Sequence, residues 1–267
     1  MLSQNIFVDA HVHIHDHFSL SRLFLISLQN FRKYHDANIT GIMHSFLLLT
    51  ESCGVNKFAN LKEHGDQSGN FSIHDTGERE TLKVTTLGGQ TLYVVAGRQI
   101  VTAEKVEVLA LGLDVEYPDG NTLKETLKDL NSTKCLRVLP WGAGKWIGKR
   151  GKIIQSLIST WSDGPLFLGD NGNRPSCWPL PPIFSDAKTR GIFNLPGSDP
   201  LPFSEQEKKA GSFGFSIPGE VDPSKPFSSL KEAIFSAPNT IDPFGTPESL
   251  QPFMKHQITM QIVKRRR

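Results

Sequence analysis

The run NIFVDAHVHI, residues 5–14, is apolar and β-branched until it ends in histidines. It reads as a strand that delivers polar side chains at its C-terminal end. The same pattern recurs along the chain. FSLSRLFLISLQNFRKY follows, with Leu20, Leu23, Phe24, Ser27, Leu28 and Phe31 at helical spacing and Ser19 available as a cap. ITGIMHSFLLLTES is a second apolar strand that stops at Thr50 and Glu51. LRVLPWGAGKWIGKRGKIIQSLIST reads as strand, glycine-rich loop and helix. PLFLGDNGNRP and GIFNLPGSDP each read as a strand running into a polar loop. Strands alternating with helices predict an α/β fold with a largely parallel sheet.

Between these landmarks, Cys53 to Glu80 reads as a helix followed by a loop. TLKVTTLGGQTLYVVAGRQIVTAEKVEVLALGL reads as a series of strands, with Gly88-Gly89 as a hairpin turn. Short helices are predicted at Lys124–Leu130 and Leu230–Ser236, and a longer one at Pro247–Lys264. A length of 267 residues suits one domain spanning 1–267, with the Pro- and Gly-rich stretch 197–267 completing or capping it.

Composition narrows the function classes. The net charge of +2 is too balanced to argue for nucleic acid, and the one basic cluster, Lys264 to Arg267, reads as a solvated tail. The 3 cysteines are widely spaced without a CxxC pair, and no basic-then-apolar leader opens the chain. Both point to a reducing, cytoplasmic setting. No apolar run approaches the length of a membrane span. No nucleophile elbow, Walker loop or dinucleotide fingerprint is present.

The strand-end residues carry the chemistry: Asp9, His11 and His13; Glu51; Gln99 and Glu107; Asp170, Asn171, Asn173 and Arg174; Ser198 and Asp199. Residues two apart on a strand share a side, so His11 and His13 can face one ion. The mixed nitrogen and oxygen donors suit zinc, manganese or iron. His15, His17, His35, His64, His74 and His256 read as surface residues, and His44 as a core histidine. In PWGAGKWIGKRG, Lys145 and Arg150 flank a helix start where an anion could sit, although a plain glycine-rich loop gives the same pattern. In GDNGNRP, Asp170 is a candidate ligand or general base, and Arg174 a candidate clamp for phosphate or carboxylate.

Three motifs resemble those of the PHP (polymerase and histidinol phosphatase) family of amidohydrolase-like metal hydrolases, across about residues 5 to 200. Asp9, His11 and His13 match the family's D-x-H-x-H. Gly97-Arg98-Gln99-Ile100-Val101-Thr102, followed by Val108 to Gly112, matches the middle motif, with Gln99 where the family has a bridging glutamate. Gly197-Ser198-Asp199-Pro200 matches the late motif, with Pro200 where the family has a histidine. The resemblance implies a distorted (β/α)7 TIM-like barrel with metals at the strand C-termini. It implies one or two divalent ions held by His11, His13, Asp199 and one of Glu51, Glu107 or Asp170. Asp170 or Asp199 would take a proton from water, and Arg174 with Lys145 or Arg150 would bind a small anionic, phosphorylated substrate. Phosphoester hydrolysis is the family's common chemistry, and amide or lactone hydrolysis fits a similar site. The missing ligands leave a second reading, a degenerate barrel that binds a ligand or partner without turnover. A third is that the histidines are incidental to another α/β fold.

Overall fold

The computed structural model describes residues 4–38, 41–65 and 69–265. β1 (Gln4–Val12), α1 (Leu20–Asn38) and β2 (Ile42–Leu49) open the chain as a parallel strand pair with a helical crossover. Parallel neighbours need such a connection, and the 3.6-residue apolar spacing of α1 lays it over the sheet. After α2 (Lys57–His64) come β3 (Phe71–Asp75), β4 (Thr81–Thr86) and β5 (Thr91–Val95), an antiparallel run. Gly89, at φ 75°, makes the β4–β5 turn. β6 (Gly97–Val101), β7 (Glu107–Leu111), α3 (Leu123–Asn131), β8 (Leu136–Pro140), α4 (Lys149–Thr160) and β9 (Phe167–Gly169) follow. The chain continues through α5 (Pro182–Lys188), β10 (Gly214–Pro218), α6 (Pro226–Ser236), β11 (Asp242–Phe244) and α7 (Leu250–Arg265).

These strands form two mixed sheets, β11-β10-β1-β2-β5-β4-β3 and β6-β7-β8-β9. The expected (β/α)7 TIM-like barrel is therefore corrected. The reason lies in connection length. The links between β4 and β5, β5 and β6, and β6 and β7 are each far shorter than the dozen or so residues a parallel crossover needs, so β4–β5 and β6–β7 pair antiparallel and the chain passes from one sheet to the other between β5 and β6. β3, β10 and β11 were not expected. GIFNLPGSDP, expected as a strand, makes only single bridges, Leu168 with Asn194 and Asn171 with Gly197.

β1 is buried on both faces. Ile6, Val8 and Ala10 enter a core shared by both sheets and α6, while Phe7 and Val12 pack with α1 and α2. A third core lies between the four-stranded sheet and α3, α4 and α5. His35, read as a surface residue, is buried with its ring 5.8 Å from that of Phe7. His44 is half-buried, and its Nε2 lies 2.9 Å from the Gln4 amide oxygen. Arg266 and Arg267, and the side chains of Lys264 and Arg265, lie outside the described residues. Among the described residues no helix is long and apolar enough to cross a membrane.

The two sheets are stitched where the polar residues sit. Glu51 N donates to Gly97 O and Gln99 N to Glu51 O, which ties the end of β2 to β6. On the other side, the segment 193–199 lies between β9 and β1. Leu195 N donates to Leu168 O, Ala10 N to Pro196 O and Asp199 N to His11 O. That last bond delivers Asp199 to the histidines.

Candidate metal centre

The register of β1 on β2 slips between Asp9 and Val12, a bulge-like irregularity under His11. Such irregularities re-aim side chains beside functional sites. Here His11 Nε2 and His13 Nε2 lie 3.2 Å apart, and each lies 3.5 Å from Asp199 Oδ1. A triangle with those sides has its centre about 2.0 Å from each corner, the Zn–N and Zn–O bond length. Two imidazoles and one carboxylate therefore fit one divalent ion. Among the described residues, no other His, Cys, Asp or Glu joins this group.

The electrostatics suit ligation. Burial, then the neighbouring His11, lowers the His13 imidazole to about 3, so it is neutral with its lone pair available. Burial alone would raise Asp199, but His11, His13, Lys145 and the Asn171 hydrogen bond together hold it below the ordinary carboxylate range. Asp199 adopts φ 48°, a left-handed conformation uncommon outside glycine. Strain of this kind persists where the surroundings over-determine it. They do so here. Asn171 Nδ2 donates to Asp199 Oδ2 at 2.6 Å, and Asn173 Nδ2 donates to Asp199 O at 2.6 Å.

Behind the triad sits Asp9, fully buried. Its Oδ1 accepts from His11 N at 3.2 Å and Ser198 N at 2.8 Å, and its Oδ2 from Ser198 Oγ at 2.5 Å and Gly211 N at 2.8 Å. Burial outweighs these bonds and pushes the carboxyl up to about 7. Gly197 allows the close approach of the two segments. A Cβ there would lie 2.2 Å from His11 N and 2.4 Å from His11 Cβ.

The remaining sequence candidates are engaged outside the triad. Arg174 Nε and Nη2 grip Asp170 Oδ1 and Oδ2 at 2.8 and 2.9 Å, and Arg174 also donates to Trp178 O. Glu51 Oε2 lies 3.1 Å from Arg98 Nη1, and Glu51 Oε1 accepts from Phe58 N at 2.7 Å. Burial raises its carboxyl despite both. Glu107 holds Lys145 Nζ at 2.5 and 2.6 Å. Arg150 donates to Lys105 O and Gly144 O. Glu51, Glu107 and Asp170 are thus engaged by cations, outside the triad. His15 Nε2 lies 3.0 Å from Pro200 O, and burial lowers its imidazole. His256, read as a surface residue, is half-buried, its Nδ1 3.1 Å from Glu248 Oε2.

Sequence reasoning noticed Asp9, Asn171, Asn173 and Ser198 but gave them no supporting role. Their signal was the same strand-end position. It missed Lys209, whose Nζ donates to Asn173 Oδ1 and lies 3.0 Å from Glu248 Oε1.

No protein-family model matches the sequence, and no curated protein matches it. Solved structures share the fold. PsfC from Pseudomonas syringae PB-5123 aligns over 98% of this chain and 100% of its own, at 13% identity and a TM-score of 0.55. The lesion-specific endonuclease PfuEndoQ from Pyrococcus furiosus aligns over 87% of this chain at 14% identity and a TM-score of 0.50; the match spans 56% of that protein. An Endonuclease Q complex with a 27-mer duplex substrate carrying an abasic lesion gives 0.48 at 14% identity. At these identities the likeness shows the fold alone. It does correct one expectation. No nucleic-acid partner was expected from the balanced net charge, yet an endonuclease shares this fold, so that expectation is corrected.

Proposed function

We propose that this chain is a metal-dependent hydrolase acting on phosphoesters. The observation that carries the reading is the 3.2, 3.5 and 3.5 Å triangle of His11 Nε2, His13 Nε2 and Asp199 Oδ1. Two histidines and one carboxylate are a three-ligand zinc set that leaves a position for water or substrate. When bound, the ion lowers the pKa of its water and polarises the scissile group.

The chain's own residues supply the rest. Asp199 presents Oδ1 to the histidines while Asn171 holds Oδ2, so its orientation is set before an ion arrives. Lys145, whose Nζ is paired with Glu107, is a cation whose charge acts on Asp199 and His13. It is 40% exposed at the side chain, so it can exchange Glu107 for a substrate anion. Asp170, clamped on both oxygens by Arg174, is a positioning residue, and its backbone N–H donates to Asn194 Oδ1 at 2.8 Å. The shared fold with PsfC and with a lesion-specific endonuclease supports a hydrolase of the PHP-like kind.

The test is elemental mass spectrometry of the purified protein beside a His11→Ala/His13→Ala double variant, followed by hydrolysis of bis(4-nitrophenyl) phosphate. Near-stoichiometric zinc that disappears in the double variant, with turnover that follows it, is the expected result. No metal in either protein after reloading overturns the proposal. Retained zinc without turnover of any phosphoester favours the binding reading that Gln99 and Pro200 raise.

A further inference from the structure

We infer that a cleft walled by Trp141, Trp146 and Trp178 is a subsite for a planar aromatic ring carried by the substrate. Three of the chain's 4 tryptophans line one cavity of about 660 Å³. A volume of that order suits a small organic group, and pockets of this kind are walled mainly by apolar and aromatic side chains. Trp141 and Trp178 meet edge to face with centroids 6.3 Å apart. Trp146 is fixed in place: its Nε1 donates to Pro140 O at 3.1 Å, and its ring stacks on Phe184 at 5.7 Å. Trp178 is backed by Phe253 at 5.8 Å yet stays 43% exposed. Indoles held rigidly around an open space favour a flat ring over a flexible chain, because offset and edge-to-face ring contacts add to simple burial.

Continuity with the candidate metal centre identifies whose ring it is. Asn171 Nδ2, which holds Asp199 Oδ2, lies 3.5 Å from Trp141 O. Lys145, whose charge reaches Asp199, belongs to the same loop as Trp141 and Trp146. Its stem lies against Gly142, a wall of the cleft: a Cβ on Gly142 would sit 2.6 Å from Lys145 Cδ. One loop therefore meets Asn171, which holds Asp199, through Trp141 O and walls the cleft with its indoles. A phosphoester whose phosphate meets Lys145 and the triad directs its aromatic group between the tryptophans. The inference rests on the proposed function for the phosphate's position, while ring binding itself needs no metal.

The experiment titrates the full chain, with and without added zinc, with phenyl phosphate and with cyclohexyl phosphate. Calorimetry and tryptophan emission are the readouts. Phenyl phosphate is expected to bind about two- to tenfold more tightly than its saturated analogue and to quench emission. Trp178→Ala is expected to abolish that preference without changing zinc content, and Trp178→Phe to keep most of it. Trp178 is part-exposed, so the variants fold, and a circular dichroism melt checks this. Equal affinity for the two phosphates, a preference that survives Trp178→Ala, or no binding of either overturns the subsite. A ring preference in a chain that holds no zinc supports the subsite and sinks only the metal centre.

Discussion

Replacing Asp9 by Asn changes one atom and tests how the candidate centre is held together. Asp9 is isosteric with Asn and fully buried, so neither cavity nor overpacking enters. Four donors surround its carboxyl: His11 N and Ser198 N on Oδ1, Ser198 Oγ and Gly211 N on Oδ2. An amide must aim its NH2 at one pair. Aimed at the Oδ1 side it meets two backbone N–H groups, neither of which can accept. Aimed at the Oδ2 side it meets the Gly211 N–H and the Ser198 hydroxyl, which can turn and accept. The second orientation wins and leaves two buried N–H groups without an acceptor, that of Gly211 and the second amide hydrogen. Each costs about 1–3 kcal/mol. Urea unfolding should show this as a lower midpoint with an unchanged slope. The same substitution loosens Ser198, and with it Asp199, so zinc affinity should fall about 10- to 100-fold, as for other supporting residues of metal sites. A competition titration against a chromophoric chelator measures it. An Asp9→Asn protein within about 0.5 kcal/mol of the parent, binding zinc as tightly, would refute the account of Asp9 as the anchor.

Two further outcomes are expected. Gly197→Ala places a Cβ 2.2 Å from His11 N, which pushes the 193–199 segment off β1; zinc content by elemental mass spectrometry should drop sharply while the circular dichroism spectrum keeps its shape. His44 has its imidazole lowered by burial, so in acid the unfolded chain binds a proton that the native state resists. Its contribution is therefore present above the ordinary histidine value of about 6.5 and lost as pH falls below it. Urea midpoints between pH 7 and pH 5 should decline less in His44→Gln than in the parent; parallel curves would remove His44 as a cause.

How much of this could be read from the sequence depended on whether the cause was local. β1, α1 and β2 were legible because apolar periodicity is a local property and a parallel pair demands its crossover. The barrel was misread from that same beginning. The stretch from Thr81 to Leu111 already held the correction, since its connections leave no room for helices. β3, with the sequence FSIHD, was hidden because most of its side chains are exposed or half-exposed and its partner is β4 rather than a buried layer. His35 was legible and overlooked: it stands four residues beyond Phe31 and seven beyond Leu28, on the apolar face of α1. For the site, His11 and His13 stand two apart and Asp199 sits in a Gly-Ser-Asp turn, both visible signals. The pairings of Glu51 with Arg98 and of Glu107 with Lys145 were not visible, because they join segments 47 and 38 residues apart only once the sheets are stitched.

Those pairings explain why the carboxylate count of this chain overstates its ligand count. A metal ligand must offer a lone pair that no cation already holds. Glu51, Glu107 and Asp170 each face an arginine or lysine, and two of those pairs are buried, where removing either partner leaves an uncompensated charge. Asp199 differs because no arginine or lysine pairs with its carboxylate; the groups against it are Asn171 and the two imidazoles. Asn171 and Asn173 fix its carboxylate and its carbonyl, Asp9 fixes the residue before it, and none competes for Oδ1. These bonds among the chain's own residues hold the three ligand atoms together. Metal loading should then proceed without a change in secondary structure, and a far-ultraviolet spectrum that shifts on zinc addition would contradict a preformed site.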